Sequence, residues 1–199
     1  MMEVTEARAS MTFSGLLSGR SVEAAHKLFR DARSFYLDTS DGIKDGSVPS
    51  DDTVMYEVRS YTEGQTKRGN LNWGVTKLQP VTVNGECNMT RGHWHDDRAC
   101  AEFYYGLSGK GILLLMNESE GVRMERVCSG SLHHIDGRCA HRLVNTGDEP
   151  LVVAACWGCD AGHDYTAMER KPFPIRIFRN PDGEIRFEPM ESEETYESL

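Results

Sequence analysis

The chain has 199 residues and a net charge of -9, from 22 Lys and Arg against 31 Asp and Glu. That length suffices for one domain with a buried core. The acidic balance excludes the basic patch that nucleic-acid phosphates or an anionic membrane would need. No apolar run approaches the roughly 18 to 20 residues of a membrane span. The start, MMEVTEARASMTF, lacks the apolar centre of a secretion signal. A cytoplasmic protein with neither nucleic-acid nor membrane partners is the expectation.

Residues 1–50 read as an N-terminal extension carrying a short helix that packs on the main domain. In SVEAAHKLFRDARSFY, residues 21–36, apolar side chains recur at Val22, Ala25, Leu28, Phe29 and Ala32, a helical spacing. DTSDGIKDGSVPSDD, residues 38–52, is rich in turn formers and acids and reads as an exposed loop. Residues 51–190 change texture to short strands between turns. TVMYEVRSY alternates and is β-branched; GNLNWGVTKLQPVTV, AEFYYGLSG, KGILLLMN, VRMERVCSGSLHHI, AHRLVNTGDEPLVVAACW and IRIFRNPDGEIRFEP follow. NESEG, NTGDEP and NPDGE separate strand pairs as hairpins require. Short strands in such a series indicate an all-β antiparallel sandwich or barrel. Residues 191–199, acidic and poor in apolar groups, read as a disordered tail.

The cysteines are Cys87, Cys100, Cys128, Cys139, Cys156 and Cys159. Reduced thiols are expected in the cytosol. Cys156 and Cys159 form a C-x-x-C pair, yet no helix pattern follows it and no second pair completes a zinc site.

GHWHDDRACAE, residues 92–102, carries chemistry. Read as a strand, it puts His93 and His95 on one face with Trp94 on the other. Glu102 and His141 complete a set of three imidazoles and one carboxylate. That set suits iron(II), manganese, nickel or zinc with room for substrate. The pair His133 and His134 is a decoy, since neighbours on a strand face opposite ways and at most one could join the site.

The frame around these residues resembles the paired motifs of the cupin superfamily. His93, His95, Glu102 and Gly109 match the first motif; Gly130, His141 and Asn145 match the second. Asp136 and Arg138 replace the Pro and Gly of that second motif, which loosens its turn chemistry. The gap between His95 and Glu102 is longer than in most cupins. With MYEV, GNLNWGVTKLQP, TRGHWH, AEFYYGLSGKG, AHRLVNTGDEP and DAGHDY, the stretch from about Tyr56 to Glu188 resembles the cupin-type glucose-6-phosphate isomerases first known from archaea. The resemblance implies a cupin antiparallel β-barrel or jelly roll. It implies one divalent metal per chain, iron(II) foremost, on His93, His95, Glu102 and His141. It places Thr76, Thr90 and the Gly92 backbone at the sugar phosphate, and Tyr56, Tyr104, His163 and Tyr165 around the sugar. Trp157 stands where an archaeal relative has tyrosine; its indole donates but cannot accept.

The implied reaction interconverts glucose 6-phosphate and fructose 6-phosphate by moving a proton between C1 and C2 through an enediol. It needs a base near both carbons and stabilisation of the oxygens. Glu102 is the first candidate base. His163 is the reserve, oriented by an adjacent acid, and Tyr104 is the third catalytic candidate. The alternatives are another metal-dependent cupin enzyme, such as an iron dioxygenase with the same ligands, or a non-catalytic sugar-binding cupin. A homodimer is expected, because pairing hides sheet edges.

Overall fold

A computed structural model describes residues 5–41, 47–64 and 67–190. The tail expected to be disordered lies outside these. In chain order the strands are β1 (Ala9–Met11), β2 (Leu17–Gly19), β3 (Val22–Leu28), β4 (Val54–Tyr61), β5 (Leu71–Leu78), β6 (Thr82–Val83), β7 (Glu86–Cys87), β8 (Glu102–Ser108), β9 (Lys110–Asn117), β10 (Gly121–Cys128), β11 (Leu132–Ile135), β12 (Cys139–Asn145), β13 (Leu151–Gly158), β14 (Ile175–Arg179) and β15 (Ile185–Pro189). Among the described residues the α-helices are α1 (Phe29–Ala32) and α2 (Tyr165–Arg170). Among the described residues no helix is long and apolar enough to cross a membrane.

The fold is all-β and antiparallel, the cupin arrangement the motifs implied. A six-stranded sheet in the order β11-β8-β13-β5-β4-β3 faces a three-stranded sheet, β10-β9-β12. A four-stranded sheet, β15-β14-β7-β6, and the β1-β2 hairpin flank them. KGILLLMN shows why. Its continuous apolar run forms β9, the central strand of its sheet, buried on both faces. Leu113 and Leu115 point between the two main sheets, where they meet Leu78, Val127, Ile135, Leu143, Leu151 and Val153. Leu114 and Met116 point the other way, into a second apolar layer with Phe29, Met55, Phe173 and Ile177. Each such side chain stabilises the fold by about 1.5–3 kcal/mol relative to exposure.

Several strands change character along one face, and that change opens the site. In β13, Leu151 and Val153 fill the core, whereas Ala155 and Trp157 on the same side line a cavity. In β5, Leu78 belongs to the core while Thr76 and Gly74 line the cavity. The space between the sheets is thus packed at one end and hollow at the other.

Two local expectations change. The helical spacing over 21–36 is realised only in α1 and a 3₁₀ turn at Arg33–Phe35. Val22–Leu28 is instead a strand paired along β4. A short, weakly amphipathic segment makes a marginal helix, and the open edge of β4 offers it a full ladder of backbone bonds. The turn at Asp136 and Arg138 is not loose either. The Asp136 carboxylate accepts from the Arg138 backbone N–H (2.9 Å) and guanidinium (2.9 and 2.7 Å). The side chain of the acid does locally what Pro and Gly would do by conformation.

Candidate active site

His93, Glu102 and His141 reach the hollow end of the barrel from three segments. Glu102 opens β8 and points inward. His141 lies in β12 of the facing sheet. The stretch holding His93 is not the strand its alternation suggests. Residues 88–101 hold only isolated bridges, Met89 to Val144, His93 to His141 and Trp94 to Asp164. These bridges run the segment along the edge of β12. His93 and His141 exchange both backbone bonds, His93 N–H donating at 3.3 Å and His141 N–H at 3.1 Å. Strand alternation still holds locally, since Trp94 turns away and is buried under the Arg98 guanidinium.

One potential ligand atom from each of His93, His95, Glu102 and His141 lies within 4.8 Å of the others. The hydrogen bonds around them test whether a cation fits. His95 Nδ1 is 2.7 Å from the Cys100 carbonyl. A carbonyl only accepts, so Nδ1 carries the proton and Nε2 presents a lone pair. That Nε2 lies 3.2 Å from Glu102 Oε2. His141 Nε2 lies 3.2 Å from the same oxygen, but without hydrogen-bond geometry, and is buried with no partner. A second proton on His95 would satisfy one contact and leave His141 Nε2 orphaned. A divalent cation satisfies all of them, so the donor set fits a metal.

The electrostatics agree. Burial, reinforced by His141, His163 and His95, drives His93 far below the usual histidine range, which keeps it neutral and able to ligate. Burial alone would raise Glu102, but the two facing histidines outweigh it and hold the carboxylate below its ordinary value. For His95 burial lowers the pKa, and Glu102 with the Cys100 carbonyl turns the balance upward.

His93, Glu102 and His141 of the cluster line a cavity of about 390 Å³, within the range of small-molecule sites, while His95 is buried and does not line it. Tyr56, Thr76, Thr90, Gly92, Tyr104, His163, Tyr165 and Trp157 all line it. Burial keeps Tyr104 protonated, with its pKa raised well above the ordinary value, and pushes Tyr56 up to about 12. The Thr90 hydroxyl accepts from Leu143 N–H at 3.0 Å, so its own proton is free to point elsewhere. Gly92 has φ 74°, and a Cβ there would sit 3.1 Å from the His141 carbonyl. Only glycine lets the turn come so close to β12. Trp157 lies over Gly74, whose missing Cβ would fall 2.9 Å from the indole ring.

DAGHDY places His163. Ala161 is buried, and Gly162 has φ 65° with a would-be Cβ only 2.1 Å from Asp96 Oδ2. His163 then stacks parallel to Tyr165 and lies edge-on to His93, with ring centroids 5.8 and 4.3 Å apart. The adjacent acid does not orient it. Asp164 caps α2 through Ala167 N–H (2.9 Å) and accepts from Arg98. The nearby carboxylate is that of Asp96, which accepts the His163 backbone N–H at 3.2 Å. Burial lowers the His163 pKa.

Neither histidine of the HH pair enters the site. His133 is buried between Glu125 (2.7 Å) and Ser131 (2.9 Å), and His134 lies tilted against Phe103 outside. Cys156 and Cys159 are free thiols, as are the other four. Lys27 and Arg91 also line the cavity. Lys27 was hidden by the helical reading of its segment. Arg91 lies between two quoted residues, and charge alone did not distinguish it.

With this geometry in view, the comparisons are specific. The family model described as glucose-6-phosphate isomerase matches residues 26–180. The glucose-6-phosphate isomerase of Pyrococcus horikoshii is 37% identical over 168 residues, 83% of this chain and 87% of that one. That of Thermococcus kodakarensis is 35% identical over the same length, covering 83% and 86%. The putative glucose-6-phosphate isomerase 1 of Rhizobium meliloti is 33% identical, covering 74% and 68%. A match running from within β3 to the end of β14, across both motif segments, leads to one conclusion: this chain belongs to the cupin-type glucose-6-phosphate isomerase family.

Proposed function

We propose that the chain interconverts glucose 6-phosphate and fructose 6-phosphate through an enediol, at a single divalent metal site with iron(II) as the first candidate. The observation that carries the metal is the convergence of three imidazoles and one carboxylate with His141 Nε2 otherwise orphaned. Iron(II) heads the candidates because nitrogen-rich, oxygen-completed sites with open positions suit it; manganese, nickel and zinc also accept this set. When bound, the cation supplies Lewis-acid stabilisation of the negative charge that develops on the sugar oxygens.

The chain's own groups do the rest. Glu102 Oε2 takes both histidine contacts, while Oε1 takes none and the residue lines the cavity. Oε1 is therefore the atom to carry a proton between C1 and C2. Its depressed pKa makes it a weak base in isolation, and its value lies in position beside the reacting carbons. His163, kept neutral by burial, lines the cavity beside the cluster, edge-on to His93, as the group that assists opening of the sugar ring or takes the base role. Tyr104, kept protonated, donates to a substrate oxygen. Thr76, Thr90 and the Gly92 backbone hold the phosphate, and Tyr56 and Tyr165 flank the sugar. A dioxygenase would use the same ligand set, but family membership favours the isomerase.

The active species is a homodimer on this reading. The outer face of β8 and β11 exposes Phe103, Tyr105 and Leu132, at 48%, 43% and 66%. Phe13 and Leu16 stand exposed between β1 and β2. Apolar side chains spread over one sheet face are what a two-fold contact covers. Six unpaired cysteines accord with a reducing, cytoplasmic setting. The test is a coupled assay with fructose 6-phosphate, with and without chelator. Turnover abolished by chelator and restored by metal supports the proposal. No turnover with iron, manganese, nickel or zinc rejects it, and so does turnover that requires oxygen.

A further inference from the structure

Two cations reach the substrate cavity from segments far apart in sequence. Lys27 is the penultimate residue of β3, at a bulge before Leu28, opposite Tyr56 of β4. Alternation along β3 points Lys27 to the same side as Ala25, and both line the cavity. Arg91 sits between Thr90 and Gly92, with its guanidinium 4.1 Å from the centre of the Tyr165 ring. Lys27 is half-buried, and among the described residues no carboxylate lies within ion-pair distance of it. Arg91 meets Glu169 at 2.9 Å, but Glu169 is 69% exposed, so solvent weakens that pair.

A third cation stands behind them. Arg142 Nη2 donates to the Arg91 carbonyl at 2.6 Å, and its Nε packs against Gly92, buried without a partner. Arg142 has no carboxylate partner among the described residues either. Lys27 and Arg91 line both this cavity and a second hollow, where Arg142 and Arg176 join them against Asp31 and Glu169; Arg176 is paired there with the buried Glu86 at 2.9 Å. Lys27 and Arg142 are left without a carboxylate partner among the described residues, and an anion in the cavity would balance the charge that Lys27 and Arg91 bring to its lining.

On the isomerase reading given above, we propose that Lys27 and Arg91 form the cationic end of the pocket and select a sugar carrying a dianionic phosphate. Lys27 supplies a mobile ammonium and Arg91 a guanidinium held in place by Tyr165. Arg142 is a positioning residue. It fixes the Thr90–Gly92 turn and adds its charge from behind, without touching substrate. His93, Glu102 and His141, elsewhere on the same lining, mark where the carbonyl end would lie. The sugar is oriented by charge at one end and by ligation chemistry at the other.

The test is Lys27→Met in the metal-loaded full chain, with Lys27→Arg as the rescue. Lys27→Met should raise KM for fructose 6-phosphate about 10-fold, the loss of one charge-assisted contact. Its kcat should stay within about twofold, because a contact made equally to substrate and transition state does not alter the chemical step. Calorimetric binding of inorganic phosphate should weaken by a similar factor, and Lys27→Arg should restore both. Arg91→Met should behave as Lys27→Met does. If both methionine variants bind phosphate and fructose 6-phosphate as the wild type does, the inference is overturned. If Lys27→Met does not fold, the wild type decides: KM must rise steeply with salt while kcat holds, and a salt-independent KM overturns it. Failure of the isomerase reading looks different. The wild type would then bind inorganic phosphate in a Lys27-dependent manner yet leave fructose 6-phosphate unconverted.

Discussion

At the residue scale the metal cluster is governed by which nitrogen of each imidazole holds the proton. The Cys100 carbonyl fixes Nδ1–H on His95 and so aims Nε2 at the cluster. His93→Ala or His141→Ala each removes one ligand. Elemental analysis should find most of the metal lost from either variant, and wild-type occupancy would refute the ligand assignment. Glu102→Gln separates two roles. The amide keeps an oxygen for the metal but cannot carry a proton. Turnover at saturating metal should fall by about 10² to 10⁴-fold, the usual worth of general-base catalysis, with deuterium uptake at C2 lost in parallel. Near-normal turnover would transfer the base role to His163. The pH dependence follows from burial of His163. Its pKa lies below the ordinary histidine value, so its neutral form persists as the pH falls through 6.5. The kcat profile should stay flat across that value and decline only at lower pH; a decline centred at 6.5 would show that His163 is not the neutral partner.

At the scale of elements, the segment from Asp160 to Tyr165 is a scaffold for one imidazole. Gly162 packs on Asp96 in a left-handed conformation that a side chain enters only with strain. Asp164 holds the far end through α2 and the bridge to Trp94. Gly162→Ala should therefore destabilise the fold by about 1 kcal/mol or more and displace His163. The thermal unfolding temperature and kcat should both drop. A variant with normal kcat would show that His163 is not held by this turn. The strand β3 belongs to the same scale. By joining β4 it carries Lys27 to the cavity wall, where a helix over the same residues would have directed it elsewhere.

At the scale of the whole molecule, the six-stranded sheet exposes Phe103, Tyr105 and Leu132 on its outer face at β8 and β11, while its inner face holds core and site. A stable two-fold contact covers upwards of about 1,200 Å² in total. Light scattering should give twice the mass of the chain at micromolar concentration. Leu132→Glu combined with Phe103→Lys should give a folded monomer, since both positions are exposed on that face. A dimer that survives the double variant would place the interface elsewhere. Metal content should be the same in both forms, because all four cluster residues come from one chain.

The sequence by itself determined the class of fold, the four cluster residues and most of the cavity lining. Short apolar runs between turn formers leave few options besides an antiparallel β-barrel. His93, His95 and His141 belong to a sparse residue type, 7 in the chain, and with Glu102 they stand at a spacing that carries information locally. Much else depended on contacts between segments distant in the chain. The run from Val22 to Leu28 has helical spacing and becomes a strand, because the open edge of β4 provides backbone partners that no local pattern records. His93 lies in a bridged segment and not in a regular strand, because pairing with His141 is non-local. Asp96, and not the adjacent Asp164, faces His163, because the approach of Gly162 decides it. Lys27, Arg91 and Arg142 are common surface types scattered over the sequence. Only the folding of β3, the Thr90–Gly92 turn and β12 against one another brings these three cations together.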